Sequence, residues 1–189
     1  MGNKNSTSLT SEEVEEYAEL TYLKKREIIR AFSRFRSIDP LTVDENSMTR
    51  LRYDLIRDNV AEIKCNPFGT RMLMLFSSEH DERLSFEDFL DMLSVFSRAA
   101  PITLKTSYAF RLYDFDGDSE LGKEDLKRVL NYLAVQGDSV LSEEERETIV
   151  DKILEESDIA RSGTINFQEF QHVVARCPEF TQSFSFELV

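Results

Sequence analysis

Several kinds of chemistry are closed to this chain by what it lacks. His80 and His172 are its only histidines, and neither has partner ligands or a nucleophile nearby in sequence. No histidine metal centre or nucleophile–base pair can be assembled, so catalysis is not expected. No phosphate-cradling glycine loop occurs among the six glycines. Cys65 and Cys177 lie far apart, without metal or redox spacing. Such thiols suit a reducing compartment and read as small buried or half-buried side chains. No apolar run reaches membrane-spanning length, and no secretory signal opens the chain. A cytoplasmic protein, soluble or peripherally attached at the inner face of the plasma membrane, is expected. Tryptophan is missing, yet there are 14 phenylalanines, which suits helical lobes with aromatic interiors. Basic residues are outnumbered 36 to 23, for a net charge of −13. No basic surface is implied, so nucleic acid is not a partner; a basic peptide or a divalent cation is favoured.

What is present is most informative between residues 114 and 125, which read DFDGDSELGKED. Asp114, Asp116 and Asp118 fall at positions one, three and five of a twelve-residue loop. Glu120 follows at seven, where the backbone carbonyl would be the ligand, and Asp125 closes the loop at twelve. Carboxylates at alternate positions, with a further one on the next helix, converge on one hard cation. That is the ligand order of a helix–loop–helix calcium site. Two departures matter. Ser119 holds position six, where glycine normally permits a left-handed turn. Asp125 is one methylene shorter than the usual bidentate glutamate, so it reaches the ion through one oxygen or a water, and magnesium competes better with calcium.

Residues 158–169, DIARSGTINFQE, repeat the frame with Asp158, Ser162, Thr164 and Glu169 as candidate ligands. Ala160 offers no ligand atom and Ser162 only a neutral hydroxyl. Two carboxylates remain, which makes this site weak or vacant. Residues 77–88, SSEHDERLSFED, begin with Ser77, place Glu82 at the turn glycine and add Arg83. Metal is not expected there.

The periodicity is helical nearly throughout. Thr10 and Glu13 form a capping box opening a helix to about Leu20. A second helix runs from about Leu23 to Phe35 with Ile28, Ile29, Phe32 and Phe35 on one side, and Asp39-Pro40 ends it. Residues 41–65 are the least readable; Leu51, Leu55 and Ile56 allow a helix. Asn66-Pro67 starts another, and one spans about Phe86 to Phe96. Ala100-Pro101 separates the halves, Ser142 and Glu145 cap a later helix, and the last ends near Arg176. LSFEDF at 84, LGKEDL at 121 and INFQEF at 165 align. Each has an apolar residue four places before the acid at position twelve, and that residue joins paired loops by a short strand bridge. The spacing argues for duplication, with an eroded fourth unit in 23–65. The expected fold is all-α: two lobes of paired hands, at 10–100 and 101–177. A flexible segment 1–9 precedes them and an apolar extension 178–189 follows.

Phe110, Tyr113, Leu126, Val129, Leu130 and Leu133 flank the loop at 114. Ile149, Ile153, Phe170, Val173 and Val174 flank the loop at 158. Core packing accounts for most of them, but an opened pair of hands exposes the rest as a trough for an amphipathic helical peptide. Phe180, Phe184, Phe186 and Leu188 make the extension apolar. It either fills that trough and is displaced by a partner or packs permanently as a terminal helix. Gly2, in Met1-Gly2-Asn3-Lys4-Asn5-Ser6, fits N-myristoylation. One acyl chain gives only marginal membrane contact.

Several segments resemble the calcium- and integrin-binding proteins, a family of four EF-hand proteins related to calcineurin B and neuronal calcium sensors. They are CNPF at 65–68, LSFEDFLDMLSVFS at 84–97, YAFRLYDFDGD at 108–118, ILEESDI…GTIN…EFQHV within 153–173, and CPEFTQSFSFELV at 177–189. The resemblance implies two N-terminal hands without metal and two C-terminal hands that take calcium or magnesium. It also implies an adaptor that binds helical segments, such as the membrane-proximal part of integrin α tails, kinases or other membrane proteins. Asp125 at position twelve is itself a family habit. Ala160 and Ser162 depart from the family's acidic fourth loop. A metal-dependent adaptor is the leading expectation. A regulatory subunit of a kinase or phosphatase is the alternative, and a calcium buffer, with so few intact loops, comes last.

Overall fold

Capping chemistry decides where the chain first turns helical. The computed structural model describes residues 8–46, 48–134, 141–180 and 184–185. In it, Thr10 Oγ1 accepts from the Glu13 amide at 3.2 Å, and the Glu13 carboxylate accepts from the Thr10 amide at 2.7 Å. This reciprocal pair opens α1 (Ser11–Leu20). Helix α2 (Lys25–Ile38) buries Ile28, Ala31, Phe32 and Phe35, an apolar stripe at helical spacing. Ile29 lies off that stripe and is 52% exposed. Asp39-Pro40 ends α2 as expected, but it also begins something. Asp39 Oδ1 accepts from Thr42 N at 3.2 Å, with proline at the first turn, and α3 (Pro40–Glu45) follows.

The least readable stretch is broken into short pieces: β1 (Leu51–Arg52), α4 (Tyr53–Asn59) and α5 (Ala61–Lys64). Helix α6 (Gly69–Phe76) starts slightly later than Asn66-Pro67 suggests, because Asn66 Oδ1 accepts from Phe68 N at 2.9 Å and forms a turn first. Strand β2 (Arg83–Leu84) leads into α7 (Phe86–Val95), which buries residues on almost every side. Phe86 packs against Phe32 and Phe35, and Phe89 against Phe35, with ring centroids 5.1 to 5.7 Å apart. Tilted and edge-on rings of this kind add stabilisation beyond their buried area.

A second compact unit runs from Pro101 to Phe184. It contains α8 (Ile102–Tyr113), β3 (Glu120–Leu121), α9 (Lys123–Ala134), α10 (Glu143–Ser157), β4 (Ile165–Asn166) and α11 (Phe167–Ala175). Its core is Phe110, Leu121, Leu126, Val150, Leu154 and Ile165. Each unit carries one antiparallel strand bridge. Leu51 pairs with Leu84 in the first, and Leu121 with Ile165 in the second. These are the apolar residues at loop position eight, so the fold is all-α with paired hands and short bridges. Leu51 also places the loop of the first hand at residues 44–55. Cys65 and Cys177 are both exposed, not buried as their residue type suggested. Among the described residues no helix is long and apolar enough to cross a membrane.

Candidate metal centre

Three loops share one backbone frame although their side chains differ. Positions four and six are left-handed in each. These are His80 and Glu82 at φ 52° and 59°, Gly117 and Ser119 at 78° and 70°, and Arg161 and Gly163 at 58° and 90°. Residues with a side chain pay about 1–2 kcal/mol for this conformation. Ser119 therefore carries the strain that its position foretold.

Within the loop at 114–125 the frame draws carboxylates together. Asp114, Asp116 and Asp118 each offer an oxygen within 4.8 Å of the others. Loop amides fix their directions. Asp114 accepts from Gly117 N at 2.7 Å and Ser119 N at 3.0 Å, and Asp118 accepts from Glu120 N at 2.8 Å. Three acidic oxygens so gathered, two of the residues exposed and one half-buried, could hold a divalent cation.

Asp125 is not one of that trio. It is buried, and its two oxygens accept from Phe115 N at 2.8 Å and Gly122 N at 3.0 Å. Asp88 does the same in its own loop, accepting from Ser78 N at 3.3 Å and Ser85 N at 3.0 Å. Glu169, one methylene longer, accepts from Ala160 N and Asn166 N, both at 3.0 Å. The acid at position twelve thus ties loop start to helix start in all three. In the loops at 77 and 158 it is also half of the capping box of the exiting helix, whereas Gly122 has no side chain to return the bond to Asp125.

The loop at 158–169 keeps the frame with fewer ligands. Asp158 accepts from Gly163 N at 2.7 Å and Ser162 N at 3.0 Å, and these amides hold its carboxyl below the usual range. Ser162 Oγ donates to the Thr164 carbonyl at 3.1 Å. Among the described residues no trio of acids gathers here. Thr164 Oγ1 donates to the Glu120 carboxylate, linking the two loops side chain to side chain. Position seven of the loop is what makes Thr164 a ligand candidate. Its hydroxyl is directed to the neighbouring loop, a long-range contact with no local sequence signal.

The apolar residues flanking these loops divide. Phe110, Leu126 and Val174 are buried. Tyr113, Leu130, Ile153 and Phe170 pack against the core while staying half-buried. Val129, Ile149 and Val173 are half-buried, and Leu133 is 51% exposed. In the extension, the rings of Phe180 and Phe184 stack at 5.4 Å. The Phe184 carbonyl accepts from Lys105 Nζ at 3.1 Å, so the extension meets α8. Lys105 is fully buried, which pushes its ammonium down from the ordinary lysine value. Gly2, Phe186 and Leu188 lie outside the described residues.

Paired helix–loop–helix units, bridged at position eight and carrying an acid trio, define an EF-hand calcium-binding protein. The sequence pattern of an EF-hand domain pair matches residues 105–175. Calcium and integrin-binding family member 2 of Drosophila melanogaster is 38% identical, with 97% of this chain and 98% of that protein aligned. Family members 3 and 2 of Homo sapiens are each 36% identical with the same coverage. The chain belongs to the calcium and integrin-binding family.

Proposed function

We propose that this protein is a calcium- and magnesium-responsive adaptor whose C-terminal pair of hands binds an amphipathic helical segment of a membrane protein. The relatives' names point to integrin as that partner. Asp114, Asp116 and Asp118 would hold the ion with the Glu120 carbonyl, and Asp125 would reach it directly or through water. Asp158 and Glu169, helped by Ser162 and Thr164, would form a weaker second site. The carrying observation is that the acid trio lies at the end of α8, whose Tyr113 is half-buried along with Leu130, Ile153 and Phe170. A shift of helices on ion uptake would uncover this apolar set for a helix. The extension after Pro178 would leave as the partner arrives. An acyl chain on Gly2 would add marginal, reversible attachment at the plasma membrane.

Calorimetry with calcium, magnesium and a membrane-proximal integrin α tail peptide tests this. Wild type should bind the ions and then the peptide, and Asp114→Ala should lose the tighter ion event and weaken the peptide. Equal ion binding by both proteins sinks the site assignment. A chain ending at Cys177 should bind peptide more tightly; loss of fold in that chain would mean the extension is permanent core.

A further inference from the structure

The loop at 77–88 has lost its first-position acid, yet four of its ligand positions meet a cation. Arg50, the residue before β1, reaches across from the first hand's loop. Its guanidinium grips Asp81 with two nitrogens at 3.0 and 3.2 Å and meets Asp88 at 3.1 Å. It also donates to the Arg83 carbonyl at 3.0 Å, to Ser78 Oγ at 3.1 Å and to Ser77 Oγ at 3.4 Å. In loop numbering, Ser77, Asp81, Arg83 and Asp88 are positions one, five, seven and twelve. Those are four of the positions from which an EF-hand loop coordinates calcium, with position seven acting through its carbonyl.

An ordinary surface ion pair joins one acid to one base and contributes little. This guanidinium meets two carboxylates and a main-chain oxygen, and its side chain is only 20% exposed, with Asp88 at 8%. Its planar fork suits several acceptors at once, as a compact ammonium does not. The bridge fixes its position. Leu51 pairs with Leu84, and Tyr53 N donates to the Glu82 carbonyl at 3.0 Å, so Arg50 is held beside the neighbouring loop. Asp81 in turn holds the guanidinium proton more firmly, while Arg50 keeps the Asp81 carboxyl low. In the first loop, Arg36 grips Asp44, the acid at position one, in the same spirit.

We propose that Arg50 occupies the cation position of the 77–88 loop, so that the N-terminal pair of hands keeps its strand bridge with no metal bound. The charge that an ion would bring from solution is supplied by the partner loop. This goes beyond the adaptor reading and does not depend on it.

Amide hydrogen exchange on the full chain tests the idea. In wild type, amides at 51–53 and 82–84 should exchange at the same rate in chelator and in calcium. Arg50→Gln and Asp81→Asn should each speed exchange there by about tenfold or more, the loss expected when a charge-assisted hydrogen bond holding the segment is removed. Chelator-sensitive exchange at 51–53 and 82–84 in wild type overturns the proposal, as does an Arg50→Gln chain that exchanges at the wild-type rate. If Arg50→Gln does not fold, Asp81→Asn keeps the test decisive, because it removes one of the two carboxylates the guanidinium grips, and wild-type exchange in that chain likewise overturns the proposal.

Discussion

Replacing Asp125 with asparagine tests whether position twelve is a clamp before it is a ligand. The two oxygens of Asp125 accept from Phe115 N at 2.8 Å and Gly122 N at 3.0 Å, and the residue is 3% exposed. Asparagine is nearly the same size but has a single acceptor oxygen; its amide nitrogen faces a donor. One charge-assisted hydrogen bond is lost, at about 1.5–3 kcal/mol, and the other weakens to a neutral one. The sum is about 2–4 kcal/mol, which for a unit of this size lowers the melting temperature by roughly 10–30 °C. Melting followed by circular dichroism in excess chelator isolates this effect, because no ion is then available to lose. An Asp125→Asn protein that melts with wild type under chelator refutes the clamp and returns Asp125 to the role of ligand alone.

Ala160→Asp with Ser162→Asp restores the missing acids of the fourth loop. Calorimetry should show a calcium event at that loop roughly 100-fold tighter, the span between weak and sensor-grade loops; no gain would mean something other than charge blocks it. Gly69→Ala should destabilise the first unit by about 1–3 kcal/mol. A Cβ there would come within 2.2 Å of the Ile63 carbonyl, backbone that cannot swing aside; urea unfolding reads the loss. Arg34 beside Glu62 holds that carboxyl below its ordinary 4.5. Its stabilisation is therefore present above the unfolded carboxyl's value and fades as pH falls through the lower folded one. Glu62→Gln should flatten the acid limb of stability against pH, and an unchanged limb would count against the pair. Ser119→Gly relieves left-handed strain, offset in part by unfolded-chain entropy, and should raise stability in chelator by about 0.5–1 kcal/mol.

Much of this was legible because EF-hand loops write their geometry locally. Alternating acids from Asp114 and the apolar residue four places before each closing acid sufficed to place three loops and both ends of the second bridge. The first hand was not legible in the same way. Its loop has Leu55 where an acid would close it, and its helices are short pieces whose periodicity never runs long enough to read. Leu51 betrays it only once it is seen opposite Leu84. The roles of Arg50 and Thr164 depend on partners about thirty and forty-four residues away, and no window of sequence contains both ends. Asp125 shows a different limit. Its spacing identified the position, but not that its oxygens accept from the amides of Phe115 and Gly122, a contact Glu169 makes in its own loop with one methylene more.

The side-chain link from Thr164 to Glu120, beside the Leu121–Ile165 pairing, has a consequence for stoichiometry. Any displacement of one loop's short strand must be shared by the other's, so a single occupant can move both exits, α9 and α11. A yoke of this kind lets a depleted loop follow without binding anything. With the weaker loop still empty, such a lobe would answer rising calcium in a gradual slope rather than a step, because no second arrival would sharpen the first.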